Sequence, residues 1–370
     1  MKKLIQIYPW INNEEKKEVE KVVNSTFLTE GKKTKEFEKS LSRYCKAKFS
    51  ITFNNWTAGL FSALKIYGIG QNDEVIVPDM TFVATSNAVY LTGAKVILAP
   101  ISEDNFCIDL NKLDKLITKK TKAIIPVHLY GQCCDMDKLK KIANSFNHKI
   151  FIIEDAAQAI GAKFKNKNLG NYADIGGYSF YGNKIMTTGE GGAIVTNKKK
   201  IRNKLYEFKN HGRKKKGTFV HDSIGYNFMF TDLQAAIGIA QLKKLKKIIK
   251  KKEKIYKKYK EGLKNINGIQ FPKIQRYCSP VHWFTNVKCL EKKKLKNYLI
   301  KKNIQTRDFF LPLHMQPCYK NNDKIIKKVN LKSTKKVFDN HLSLPSAYQI
   351  SDKEINRVIK SIQSFYENRN

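Results

Sequence analysis

Two side chains in the middle of the chain offer the clearest chemistry. Lys149-Ile-Phe-Ile-Ile-Glu-Asp155 reads as a buried apolar strand that delivers the carboxylate of Asp155 at its mouth. Further on, Ser179-Phe-Tyr-Gly-Asn-Lys-Ile-Met-Thr-Thr-Gly-Glu-Gly-Gly192 sets Lys184 between a Ser-Phe-Tyr strand and a glycine-rich turn. A carboxylate and a lysine presented this way are what pyridoxal phosphate requires of a protein. The lysine forms a Schiff base, and the carboxylate keeps the pyridine nitrogen protonated so that the ring withdraws electrons. The expected reaction is therefore amino transfer. In so lysine-rich a chain the residue type says nothing; the position of Lys184 does. The turn at Gly189-Glu-Gly-Gly192 is expected to let backbone pass close to this lysine.

Competing chemistries find less support. Gly68-Ile-Gly70 lacks the third glycine of a dinucleotide fingerprint, and no Walker-type Gly-Lys-Ser/Thr occurs. The seven histidines (128, 148, 211, 221, 282, 314 and 341) show no paired helical spacing, so no metal site is expected. Seven cysteines without regular spacing argue against a disulfide framework, and adjacent Cys133-Cys134 is neither a redox nor a zinc motif. The net charge of +38 invites a nucleic-acid reading. Only seven of the 70 basic residues are arginine, however, and a phosphate-gripping surface would use arginine's bidentate fork freely. The densest basic run, Leu242–Lys264, keeps apolar residues at helical spacing and reads as an amphipathic helix with a solvated lysine face. Neither nucleic acid nor membrane is an expected partner. No apolar run approaches the roughly 20 residues that cross a bilayer. Asn12-Asn-Glu-Glu15 follows the first residues at once, so no signal-peptide core is seen and a cytoplasmic location is expected.

The elements that must position Asp155 and Lys184 alternate between strand and helix. Strands are expected at 49–53, 74–78, 94–99, 122–127, 149–154, 176–180 and 192–196. Helices are expected at 35–46, 56–67, 84–92, 109–118 and 135–146. Short apolar strands alternating with helices imply an α/β fold whose mainly parallel sheet is covered on both faces. At 370 residues the chain suits a large domain, residues 1–250, and a smaller one, 251–370, where the pattern shifts to longer, lysine-rich helices with fewer strands.

Several blocks in order carry a resemblance over residues 1–370. They are Leu28-Thr-Glu-Gly-Lys-Lys-Thr-Lys-Glu-Phe-Glu38, Asn55-Trp-Thr-Ala-Gly-Leu60, Asp73 to Thr85, Ile125-Pro-Val-His-Leu-Tyr-Gly131 and the Glu154-Asp-Ala-Ala-Gln158 block. Ser179 to Gly192, Gly225-Tyr-Asn-Phe228, Asp232-Leu-Gln-Ala-Ala-Ile-Gly238, Phe310 to Pro317 and Leu342-Ser-Leu-Pro345 complete them. Together they resemble the DegT/DnrJ/EryC1/StrS family of nucleotide-sugar aminotransferases. The resemblance implies a fold-type I pyridoxal-phosphate enzyme with a mainly parallel seven-stranded sheet and a smaller C-terminal α/β domain.

It also implies residue roles. Lys184 is the Schiff-base lysine and proton shuttle, and Asp155 pairs with the pyridine nitrogen. Gln158 bonds the cofactor's 3′ oxygen, and Phe82 stacks on its ring. The helix start at Trp56-Thr57-Ala58 binds phosphate through backbone N–H groups. Ser179 adds a hydroxyl, and Asn227 reaches the phosphate of a second subunit, so a homodimer is implied. Arg307 and His314 are placed for the sugar or nucleotide. Two departures stand out: Trp56 occupies a usual glycine position, and Met229 a frequent arginine position. Lys184 excludes the relatives that carry histidine there. The run from Gly182 to Gly192 looks most like the 4-aminotransferases, perosamine synthases above all. The implied reaction moves an amino group from L-glutamate to C4 of a nucleotide-linked 4-keto-6-deoxy sugar, with 3-amination, or a non-catalytic cofactor-binding regulator of the same fold, as the alternatives.

Overall fold

A computed structural model of the protein describes residues 2–215 and 217–367. Its centre is an eight-stranded sheet in the order Phe49–Phe53, Gly192–Thr196, Ile175–Ser179, Phe151–Asp155, Thr121–Ile124, Glu74–Pro78, Lys95–Ala99 and Ile325–Ile326. Gly192–Thr196 runs antiparallel to both its neighbours, and the other pairings are parallel. Alternate residues of each strand enter different cores. Ile76, Ile97 and Ile124 pack into one layer, while Val75, Val77, Val96, Leu98 and Ala123 pack into the other. Burial on both faces is why these strands read as unbroken apolar runs.

The sheet has one more strand than the seven expected. Ile325 and Ile326, far along the chain, pair with Val96 and Ile97. Two residues amid lysines carry no readable strand signal. The helix expected over 109–118 is reduced to one turn, Asp114–Leu116. Asp109 explains this: its Oδ1 accepts from the Asn111 N–H at 3.1 Å, a local bond that competes with helix. No disulfide framework is present among the described residues, but Cys133 and Cys278 form a single disulfide with Cα atoms 5.5 Å apart, which the sequence reading did not anticipate. Their separation of 145 residues hides the pairing from any spacing argument.

Beyond this sheet, Ile269–Gln270, Thr285–Cys289, His341–Leu344 and Arg307–Asp308 form a four-stranded antiparallel sheet. It has its own core, including Leu263, Val287, Leu342 and Ile359. The helix Asp232–Leu263 spans both regions, and the expected division after residue 250 falls inside it, so no linker marks that position. The helix starts in a capping box between Thr231 and Gln234. Its apolar stripe is buried as expected, but its lysines are not all solvated. Lys244 pairs with buried Glu15 at 2.6 Å, and buried Lys252 donates to the carbonyls of Trp283 and Ser346.

Among the described residues no helix is long and apolar enough to cross a membrane. No cluster of three or more His, Cys, Asp or Glu side chains that could hold a metal ion is found among them either.

Candidate active site

The parallel strands converge on a cavity of about 720 Å³ at their C-terminal ends. That edge is where open α/β sheets leave a crevice for ligands. Asp155 and Ser179 are the last residues of adjacent strands, so the sheet itself sets their spacing. Lys184 follows in the loop before the glycine turn. Trp56, Thr57, Ala58, Phe82, Asp155, Gln158, Ser179, Lys184 and Arg307 all line this one cavity.

Lys184 sits with its Nζ 4.1 Å from the centre of the Trp283 ring. Desolvation pushes its amine down to about 8; the Asp155 carboxylate partly opposes this, and the Arg307 guanidinium adds to it. A lowered amine is a ready nucleophile toward an aldehyde, because only the neutral form attacks. Trp283 is itself held firmly. Its Nε1–H donates to the Asn183 carbonyl at 2.7 Å, and its own carbonyl accepts from Lys252 at 3.1 Å.

Asp155 is 3% exposed and surrounded by donors. Its Oδ1 accepts from the Trp56 indole N–H at 2.9 Å and from the Ala157 N–H at 3.1 Å. Its Oδ2 accepts from the Thr85 hydroxyl at 2.8 Å. Gln158 is oriented from the far side, since its Oε1 accepts the Tyr130 N–H at 2.7 Å. That leaves the amide NH2 as the group it offers to a ligand oxygen.

The helix Trp56–Ile66 opens at the cavity, with Asn55 as its N-cap. Asn55 Oδ1 accepts the Ala58 N–H at 2.9 Å, so the Ala58 amide expected to face a phosphate is already engaged. The first-turn N–H groups of Trp56 and Thr57 precede any intrahelical acceptor and remain for an anion. The Trp56 side chain does something the sequence did not indicate: it turns away from the helix start to reach Asp155. Phe82 stands 55% exposed on the wall, beside Phe310 with ring centres 5.9 Å apart. An apolar face left this open is suited to cover by a planar ring.

The residues present fit pyridoxal phosphate. There is an anion cradle at a helix start, an uncovered aromatic face, a carboxylate with a lone pair to spare and a lysine amine lowered to about 8. Asn183 Oδ1, buried beside that lysine, has no hydrogen-bond partner among the described residues.

Two expected residues lie outside the cavity lining. Asn227 is exposed, and its Oδ1 accepts the Met229 N–H at 3.3 Å. Its neighbour Phe228 lines the cavity instead, as alternation along an extended segment requires. His314 is turned to Asp79, whose Oδ2 meets its Nδ1 at 2.6 Å and whose Oδ1 accepts its backbone N–H. Met229 borders a separate, larger depression of about 800 Å³ lined by both basic and acidic residues, which holds none of the expected site residues. Thr85, Trp283, Tyr181 and Phe310 line the active cavity without having been singled out. Thr85, Tyr181 and Phe310 belong to the blocks that carry the resemblance, and Trp283 lies outside them.

Comparison with known proteins agrees with this geometry. The model of the DegT/DnrJ/EryC1/StrS aminotransferase family matches residues 9–363. GDP-perosamine synthase of Escherichia coli O157:H7 is 35% identical, covering 99% of this chain and all of that protein. The dTDP-3-amino-3,4,6-trideoxy-alpha-D-glucose transaminase of Streptomyces venezuelae is 30% identical over 94% of this chain and 91% of that one. The PLP form of the sugar aminotransferase Spr1654 from Streptococcus pneumoniae superimposes with a TM-score of 0.93, at 26% identity and 99% coverage of both chains. The fold is thus that of the pyridoxal-phosphate aminotransferases. The chain belongs to the DegT/DnrJ/EryC1/StrS aminotransferase family, and its cofactor is pyridoxal phosphate.

Proposed function

We propose that the protein transfers an amino group from L-glutamate to C4 of a nucleotide-linked 4-keto-6-deoxy sugar. The observation that carries the reading is the facing of Lys184 and Asp155 across one cavity, with Lys184 lowered to about 8. Full-length similarity to a GDP-perosamine synthase supports amination of a sugar at C4. The S. venezuelae relative keeps 3-amination as the second reading.

Bound pyridoxal phosphate supplies the electron sink that makes a carbon next to nitrogen acidic. In this reading the protein's own residues do the rest. Lys184 Nζ anchors the cofactor and then carries a proton to and from the reacting carbon. Asp155 Oδ2 holds the pyridine nitrogen, Gln158 and Phe82 fix the ring, and Thr57 N–H with Ser179 Oγ takes the phosphate. Arg307 reaches the cavity from the edge strand of the smaller sheet and offers a guanidinium to an anionic part of a substrate. Asn227, exposed and next to cavity-lining Phe228, is placed to serve the site of a second copy in a homodimer. His314, held by Asp79, then acts on substrate only through the loop it braces. A cytoplasmic location suits soluble nucleotide-sugar substrates.

The test is to offer glutamate with GDP-, dTDP- and UDP-linked 4-keto and 3-keto sugars and to identify each product by NMR. A C4 amine from a 4-keto substrate is expected. An amine at C3 alone, or no turnover across the panel, refutes the proposal.

A further inference from the structure

Trp56 touches both ends of the cofactor site. Its main chain forms the first turn of the helix Trp56–Ile66, where the N–H groups of Trp56 and Thr57 await an anion. Its side chain packs against the sheet, 5% exposed, and donates Nε1–H to Asp155 Oδ1 at 2.9 Å. The slot for the indole is made by glycines. A Cβ on Gly177 would stand 2.5 Å from the ring atoms Cζ3 and Cη2, and one on Gly59 would stand 2.8 Å from Cε3. Gly192 gives the same clearance to the Trp56 backbone, where a Cβ would lie 2.7 Å from its Cα. So the ring is wedged in one orientation, and the orientation aims the N–H at Asp155.

The consequence for Asp155 is an asymmetric carboxylate. Oδ1 receives two protein donors, the Trp56 indole and the Ala157 N–H. Oδ2 receives one, from Thr85, whose hydroxyl is in turn 2.9 Å from that of Thr81. Each carboxylate oxygen has about two lone-pair sites, so Oδ1 is filled and Oδ2 keeps one. The vacant acceptor site belongs to the oxygen that Trp56 does not hold.

We propose that Trp56 is a positioning residue: its indole clamps Asp155 Oδ1 so that Oδ2 alone meets the cofactor ring nitrogen, and its backbone ties that carboxylate to the phosphate-binding turn. This rests on the reading of Asp155 as the ring's partner. One rigid residue then sets the separation between the two anchors, instead of two loops free to drift apart.

The test uses apoprotein titrated with pyridoxal phosphate, reading affinity and the pH midpoint of the bound cofactor's visible absorbance. Trp56→Phe keeps an aromatic ring and removes the donor. It is expected to weaken cofactor affinity about tenfold, the size of one hydrogen bond to a charged group, and to displace the absorbance midpoint. Affinity for inorganic phosphate should hold, because the backbone N–H groups remain. An unchanged midpoint and affinity overturn the proposal. If Trp56→Phe does not fold, β-(3-benzothienyl)alanine at position 56 replaces N–H by sulfur at nearly constant shape, and the same two readings decide. Asp155→Asn separates the layers. If it alters the absorbance while neither change at position 56 does, the clamp alone is wrong. If Asp155→Asn alters nothing, the assignment of Asp155 fails and the clamp falls with it.

Discussion

The lowered amine of Lys184 makes a measurable prediction about cofactor loading. Burial and Arg307 bring the amine from 10.5 to about 8 against the opposing pull of Asp155. At pH 7.5 a group with that value is about a quarter neutral, whereas an ordinary lysine is neutral in about one molecule per thousand. Condensation with an aldehyde needs the neutral form, so loading at neutral pH gains roughly two hundredfold. The assay is the rate at which apoprotein gains visible absorbance after mixing with pyridoxal phosphate, followed from pH 6 to 10. The rate should rise with pH and level off with a midpoint near 8. The two charged neighbours give signed controls. Arg307→Gln removes a positive charge, favours the protonated amine and moves the midpoint up. Asp155→Asn removes the opposing negative charge and moves it down. A rate still climbing tenfold per pH unit at pH 10, or Arg307→Gln moving the midpoint down, would refute the reasoning.

Other perturbations follow from specific contacts. Asn55→Ala removes the cap from the Ala58 N–H and should cost about 1 kcal/mol of stability, read as a lower denaturant midpoint with weaker phosphate-dependent protection. Gly59→Ala favours helix by about 1 kcal/mol, yet its Cβ would press on the Trp56 ring. It should therefore weaken cofactor binding, and equal affinities would remove the wedged-ring account. Lys252 is held down to about 7 by burial. The unfolded chain binds its proton up to about 10.5 while the folded chain releases it near 7, so this residue makes stability rise with pH across that window. Lys252→Met should flatten the rise in denaturation midpoint between pH 7 and 9, and an unchanged slope would contradict the burial argument.

Much of the sheet was legible because both of its faces are buried. Phe49–Phe53, Glu74–Pro78 and Gly192–Thr196 begin and end where their apolar runs do. Asp155, Ser179 and Lys184 were legible for a related reason: each stands at or just past a strand end, so a local pattern reports a site position. What escaped is what chain-distant contacts decide. Nothing near Trp283 shows that it will face Lys184, about a hundred residues away. Trp56 could be seen as a departure, but its partner Asp155 lies 99 residues on, across the sheet. His314 was placed by the resemblance of its segment, and its bond to Asp79 is a contact across 235 residues that no local pattern reports. Asp109 cancelled a helix that apolar spacing alone supported.

The central claim is that Lys184, and no other of the many lysines, anchors the cofactor. It is tested most directly by reducing the pyridoxal-phosphate-loaded protein with borohydride, digesting it and locating the pyridoxyl label by mass spectrometry. The account predicts one dominant labelled peptide, modified at Lys184 and absent from the Lys184→Ala protein. A label spread over surface lysines, or one that survives that substitution at full yield, would contradict it.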